Sequence, residues 1–110
     1  MITCFIRYEL DPYKIGAFEE YARNWGQAIP RCGADLIGYF APHEGSATTA
    51  YAVYNIEDLA AYERYRARLK EHPLGQANFA FSKQEQFIRR EDRLFLRLVS
   101  TPHATLLKAE

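Results

Sequence analysis

Two hydrophobic periods alternate along this 110-residue chain, and the order in which they come restricts the fold to very few plans. Over residues 2–9 the period is two, with Ile2, Cys4, Ile6 and Tyr8 on one side of a strand and Thr3, Phe5, Arg7 and Glu9 on the other. The first side is continuous core. The second is mixed, as expected of a sheet covered on both sides but wetter on one.

After Asp11-Pro12 the period becomes helical. Asp11 is the N-cap candidate, and Pro12 takes the first helical position, where its missing N–H costs nothing. Phe18, Ala22, Trp25, Ile29 and Cys32 make one apolar stripe. Pro30 is expected to kink or end the helix near Ile29, with Gly33 closing the segment. A strand over 35–41, a turn-rich loop over 42–46 and a returning strand over 49–54 read as a hairpin. Asn55 is the expected cap of the next helix, whose buried stripe is Leu59, Tyr62, Tyr65 or Arg66, and Leu69, and which His72-Pro73 stops. A short helical piece over 76–81 follows. A long strand over 85–99, bent or bulged near Glu91-Asp92, completes a domain of residues 1–99, and 100–110 form a tail. The order β-α-β-β-α-β is the α+β, ferredoxin-like plan, a four-stranded antiparallel sheet with two long helices on one face.

That plan leaves the other sheet face bare, and here it carries Phe5, Arg7 and either Tyr51 with Val53 or their neighbours, too apolar to leave in water. Aromatic residues make up 15% of the chain, more than one small core needs. Both facts point to a homodimer in which two sheets pack face to face. Phe5, Arg7, Arg89 and Glu91 are the expected interface residues, Arg7 and Arg89 pairing across it with Glu9 or Glu91. The other role open to these arginines is to anchor a substrate carboxylate.

Charge and cysteine content narrow the partners. Lys plus Arg equals Asp plus Glu, 14 each, so no basic excess marks a nucleic-acid binder. The one basic run, Arg64, Arg66, Arg68 and Lys70, reads as the solvated side of a helix. Cys4 and Cys32 have no CxxC spacing and read as buried thiols in a reducing cytoplasm. The N-terminus does not read as a signal peptide, and no apolar run is long enough to span a membrane.

At the level of whole segments the chain resembles the NIPSNAP-like family of the dimeric α/β-barrel superfamily. The resemblance runs from Ile2 to about Leu98. It rests on Phe5-Ile6-Arg7-Tyr8-Glu9-Leu10, Gly38-Tyr39-Phe40, Tyr51-Ala52-Val53-Tyr54, Tyr62 with Arg66, Phe87-Ile88-Arg89-Arg90-Glu91 and Phe95-Leu96. It implies two ferredoxin-like units whose sheets form one barrel, each with a cavity between sheet and helices. It implies no reaction.

Site chemistry is then sought in the residues. His43, His72 and His103 share no ligand spacing, so no metal centre is expected. There is no GxSxG, GxGxxG or P-loop. Haem-handling relatives in the superfamily imply an axial histidine, whereas the opening strand offers Arg7, so no cofactor is expected. What remains is an aromatic pocket suited to a small, flat organic molecule, with Arg7, Tyr8, Trp25, Tyr39, Tyr54, Tyr62 and Phe79 as its expected contacts. Two alternatives stay open: a cofactor-free monooxygenase or isomerase of an aromatic substrate, as in other superfamily relatives, and a non-catalytic structural or interaction protein.

Overall fold

Strand β1 (Ile2–Leu10) buries Cys4, Ile6, Tyr8 and Leu10 in strict alternation, and that face organises the whole chain. The computed structural model describes residues 1–102; His103 and most of the expected tail, 103–110, lie outside the described residues. β1 is an inner strand, paired antiparallel with β3 (Thr49–Ile56) on one side and β4 (Ile88–Leu96) on the other. β2 (Asp35–Phe40) adds to β3, giving a four-stranded antiparallel sheet in the order β2-β3-β1-β4. Helices α1 (Ile15–Arg31), α2 (Leu59–Glu71) and α3 (Pro73–Glu85) complete the chain order of a ferredoxin-like fold with one added helix. One apolar cluster joins Cys4, Ile6 and Tyr8 of the sheet to Phe18 and Trp25 of α1 and to Tyr65 and Leu69 of α2.

Helix α1 starts later than Asp11-Pro12 predicts. The Asp11 carboxylate accepts from the Tyr13 N–H at 3.0 Å and its carbonyl accepts from the Lys14 N–H at 3.0 Å, so Asp11 closes a tight turn ahead of the helix. Tyr21 and Ala28 join the buried stripe, and Ala22 is only half-buried. Pro30 sits inside the last turn, and the helix runs one residue past it before Cys32 and left-handed Gly33 (φ +106°) end it. Arg68 from α2 then donates to the Cys32 carbonyl at 3.0 Å, so the basic run is not simply a solvated face.

Asn55 does not cap α2. It lies in β3 opposite Thr3 and Asp35, accepting from the Thr3 hydroxyl at 2.6 Å and donating to Asp35 at 3.1 Å. Asp58 is the cap instead, its carboxylate accepting from the Ala61 N–H at 2.8 Å. Leu59, expected in the buried stripe, is exposed, while Tyr65 and Leu69 are buried.

The expected short helix over 76–81 is a full helix of 13 residues, α3. The His72 side chain caps it, accepting from the Leu74 N–H at 3.1 Å. Because α3 reaches Glu85 and Gln86 turns left-handed (φ 53°), β4 is shorter than 85–99 and begins at Ile88. Its register shift falls between Glu9 and Leu10 of β1, where Arg90 and Ile88 are the partners, not at Glu91-Asp92. The α2–α3 corner is tight: a Cβ on Gly75 would lie 2.0 Å from the Leu69 carbonyl oxygen.

Candidate functional site

The core face of the sheet fixes which side chains can meet beneath the helices. Ile6 of β1 stands between Ala52 of β3 and Arg93 of β4, and Tyr8 stands between Ala50 and Glu91. The small alanines leave room on one side, and the long polar side chains of the edge strand fill in from the other. The result is a small, partly open cavity of about 60 Å³ between sheet and helices. Tyr8, Tyr39 and Tyr54 line it from the strands, Tyr21 and Trp25 from α1, Tyr65 and Arg66 from α2, and Phe79 from α3.

The walls are aromatic and interlocked. Tyr8 meets the Phe18 ring edge-on at 5.2 Å, and Trp25 meets Phe79 edge-on at 5.0 Å. The Tyr8 and Tyr39 hydroxyls lie 3.4 Å apart, a long hydrogen bond. Burial raises the pKa of Tyr8, Tyr39, Tyr54 and Tyr65 well above the usual phenol value and pushes Tyr21 up to about 12. These phenols are therefore neutral at physiological pH.

Arg93 is the charged centre. Its Nη1 donates to the Tyr62 hydroxyl at 2.6 Å and its Nη2 pairs with Glu91 at 2.8 Å. Burial lowers its pKa, but Tyr62, Glu91 and Tyr54 together raise it above the usual value, so it stays charged. Two buried polar atoms near it have no hydrogen-bond partner among the described residues: Nε of Arg93 and the Tyr54 hydroxyl. Cys4 stands opposite Tyr54 in the β1–β3 pair, and the contact between their side chains adds to burial in raising the Tyr54 pKa. Arg66 packs its guanidinium 5.8 Å from the centre of the Phe79 ring and has no carboxylate partner among the described residues.

Tyr21, Phe79 and Glu91 also line a second, open hollow of about 660 Å³ on the outer side, together with Asp11, Lys83 and Arg89. The small inner chamber and this wide surface depression thus share three lining residues.

Of the expected contacts, Tyr8, Trp25, Tyr39, Tyr54 and Phe79 line the cavity. Tyr62 is held one step behind it through Arg93 and stacks edge-on with Phe95 at 4.7 Å. Arg7 does not reach it. Its Cα partners are Tyr51 and Asp92, which puts it on the opposite face of the sheet, where it pairs with Glu9 at 2.8 Å. Phe5 shares that open face. Arg89 is exposed beside Asp11 at 3.7 Å, in the outer hollow, and Phe87 is core just ahead of the strand. Glu91 belongs to the cavity side, because Tyr8 is its Cα partner.

Sequence reasoning missed Arg93, Tyr21 and Tyr65 as cavity walls and took Arg66 for a core or solvated position. The signal for Arg93 was present: Glu91, Arg93 and Phe95 alternate, and placing a bend at Glu91-Asp92 hid it. Among the described residues no three His, Cys, Asp or Glu side chains gather as a metal cluster, and no helix is long and apolar enough to cross a membrane.

The sequence model of the NIPSNAP family matches residues 3–102. No curated protein matches the chain. An uncharacterized NIPSNAP-like domain protein from Burkholderia xenovorans is 27% identical, with a TM-score of 0.73 over 92% of this chain and 88% of that one. A NIPSNAP family protein of unknown function from Agrobacterium tumefaciens is 18% identical, with a TM-score of 0.79 over 93% and 92% of the two chains. An antibiotic biosynthesis monooxygenase is similar in fold alone, at 10% identity and a TM-score of 0.57 over 91% of this chain and 100% of that one.

Proposed function

The chain belongs to the NIPSNAP family, and from that premise we propose that it binds a small, flat organic molecule at the aromatic cavity, as one half of a homodimer. The observation that carries the binding reading is Arg93 Nε, a buried donor without a partner among the described residues, on a side chain that lines the cavity. A buried polar group without a partner costs roughly 1–3 kcal/mol, and a ligand in the chamber removes that cost.

Size decides how the molecule sits. An apolar cavity of ~150 Å³ is what admits a benzene ring, and the inner chamber has about 60 Å³. A ring therefore occupies the outer hollow or displaces Phe79, while a small polar substituent enters the chamber. The neutral phenols support binding over catalysis, since a phenol with a raised pKa donates hydrogen bonds but is a poor proton acceptor. A cofactor-free oxygenase or isomerase is the second reading, with Glu91, the one carboxylate in the cavity wall among the described residues, to serve as its base.

The pairing rests on the open sheet face. Tyr51, Ile37, Leu94 and Leu96 are exposed there beside Phe5, and a groove of about 920 Å³ runs from Phe5 and Val53 to Leu98 and Val99. Four strands spaced about 4.8 Å apart and some 27 Å long present about 500 Å² per copy. Two copies hide on the order of 1,000 Å², at the lower edge of stable interfaces.

Native mass spectrometry on freshly purified protein tests both parts. A dimer carrying a reproducible added mass is expected. A monomer sinks the pairing, and a chain that arrives empty and stays empty in excess benzoate and benzamide sinks the binding reading.

A further inference from the structure

The inner chamber is charged as well as aromatic. Among the described residues Arg66 and Arg93 line it with a single carboxylate, Glu91, so this wall carries one positive charge more than it neutralises. Both guanidiniums bear on the ionisation of Cys4, Tyr21 and Tyr65, which places them in one electrostatic neighbourhood. Arg93 spends Nη1 on Tyr62 and Nη2 on Glu91, and the donor left over, Nε–H, is buried. Arg66 is held by the Phe79 ring and by no acid among the described residues. Tyr54 adds a neutral hydroxyl to the same wall, beside Cys4.

Taking the cavity as a binding site, we propose that its ligand is an aromatic carboxylic acid, whose carboxylate enters the inner chamber between Arg93, Arg66 and the Tyr54 hydroxyl while its ring lies in the outer hollow against Phe79 and Tyr21. The surplus of one positive charge matches a monoanion. A phosphate carries more negative charge than the wall can neutralise, is bulkier than a chamber of about 60 Å³ suits, and meets repulsion from Glu91. A planar carboxylate offers two acceptor oxygens to guanidinium donors, the geometry for which arginine is the preferred partner. The arginines of the open face and outer hollow, Arg7 and Arg89, take no part, because each has its own acid, Glu9 and Asp11.

Benzoate and benzamide have nearly the same shape and differ in charge, so calorimetric titration of the whole chain with each isolates the carboxylate. Benzoate is expected to bind at least about tenfold more tightly than benzamide, with that preference lost in Arg66→Gln. The Arg93 Nε–H resonance in nitrogen-15 spectra of the unaltered protein is expected to move with benzoate and not with benzamide, a readout that does not depend on a variant folding. Equal binding of the two probes, or a benzoate effect that leaves the Arg93 Nε–H resonance in place, overturns the carboxylate assignment and leaves the cavity as a binding site. Binding of neither probe overturns both.

Discussion

Nη1 of Arg93 donates to the Tyr62 hydroxyl across 2.6 Å, joining the edge strand β4 to the first turn of α2. The same tyrosine ring stacks edge-on against Phe95 at 4.7 Å, one strand repeat beyond Arg93. An edge strand lacks a neighbour on one side, and this contact ties it to the helix layer. It also holds the guanidinium so that Nη2 faces Glu91 and Nε remains unused.

Removing that hydroxyl separates the two roles of Tyr62. Tyr62→Phe keeps the ring on Phe95 and deprives Nη1 of its acceptor. The Arg93 side chain is 23% exposed, so water takes up part of the loss. A destabilisation of about 1 kcal/mol is expected in urea unfolding, with benzoate affinity falling several-fold as Arg93 loses its placement. An unchanged benzoate affinity makes Tyr62 a packing residue only.

Gly75 sets the corner between α2 and α3. Its backbone is not left-handed, so the constraint is space alone: a Cβ would sit 2.0 Å from the Leu69 carbonyl. Gly75→Ala is expected to cost roughly 2–3 kcal/mol in chemical denaturation, because backbone rather than a flexible side chain must yield. A variant as stable as the parent shows that α3 is free to shift on α2.

Alkaline pH is the expected weakness of this core. A phenol whose folded pKa lies above its unfolded value of about 10 stays protonated in the native state while the unfolded chain ionises. Its contribution is complete below pH 10 and is lost as pH rises towards the folded value, about 12 for Tyr21. Over that window each such phenol removes about 1.4 kcal/mol per pH unit. The melting temperature should hold steady to about pH 9, then fall steeply, and less steeply in Tyr21→Phe. A flat profile through pH 11 contradicts the burial of these hydroxyls.

On the open face, Phe5 and Arg7 are expected to part company. Phe5→Glu puts a charge at the centre of the proposed pairing face and should yield monomers in sedimentation velocity. Arg7 is about half exposed and already paired with Glu9 on its own strand, so Arg7→Ala should change the dimer constant by less than about threefold, the worth of an exposed ion pair. A dimer that survives Phe5→Glu places the contact elsewhere.

The helix and strand order was legible in the chain because period and punctuation are local. Alternation in residues 2–9, Gly33 after α1 and His72-Pro73 after α2 each act through their own neighbours, and the structure keeps all three. The caps were less legible. Asp11 and Asn55 are both good N-caps, yet each is claimed by another contact, a preceding turn for Asp11 and Thr3 with Asp35 for Asn55.

Side-chain period thus determined the α+β class, the order of elements and the buried face of β1, since these follow from the geometry of one segment at a time. Register and reach were decided only in three dimensions. The shift between Glu9 and Leu10 sets Arg93 beside Ile6 and Glu91 beside Tyr8, while Arg7 falls to the far side of the same sheet. A one-residue change of register turns every side chain of a strand to the opposite face. Alternation within each strand sorts its arginines by face, but which residues they meet across the sheet is a property of strand pairing.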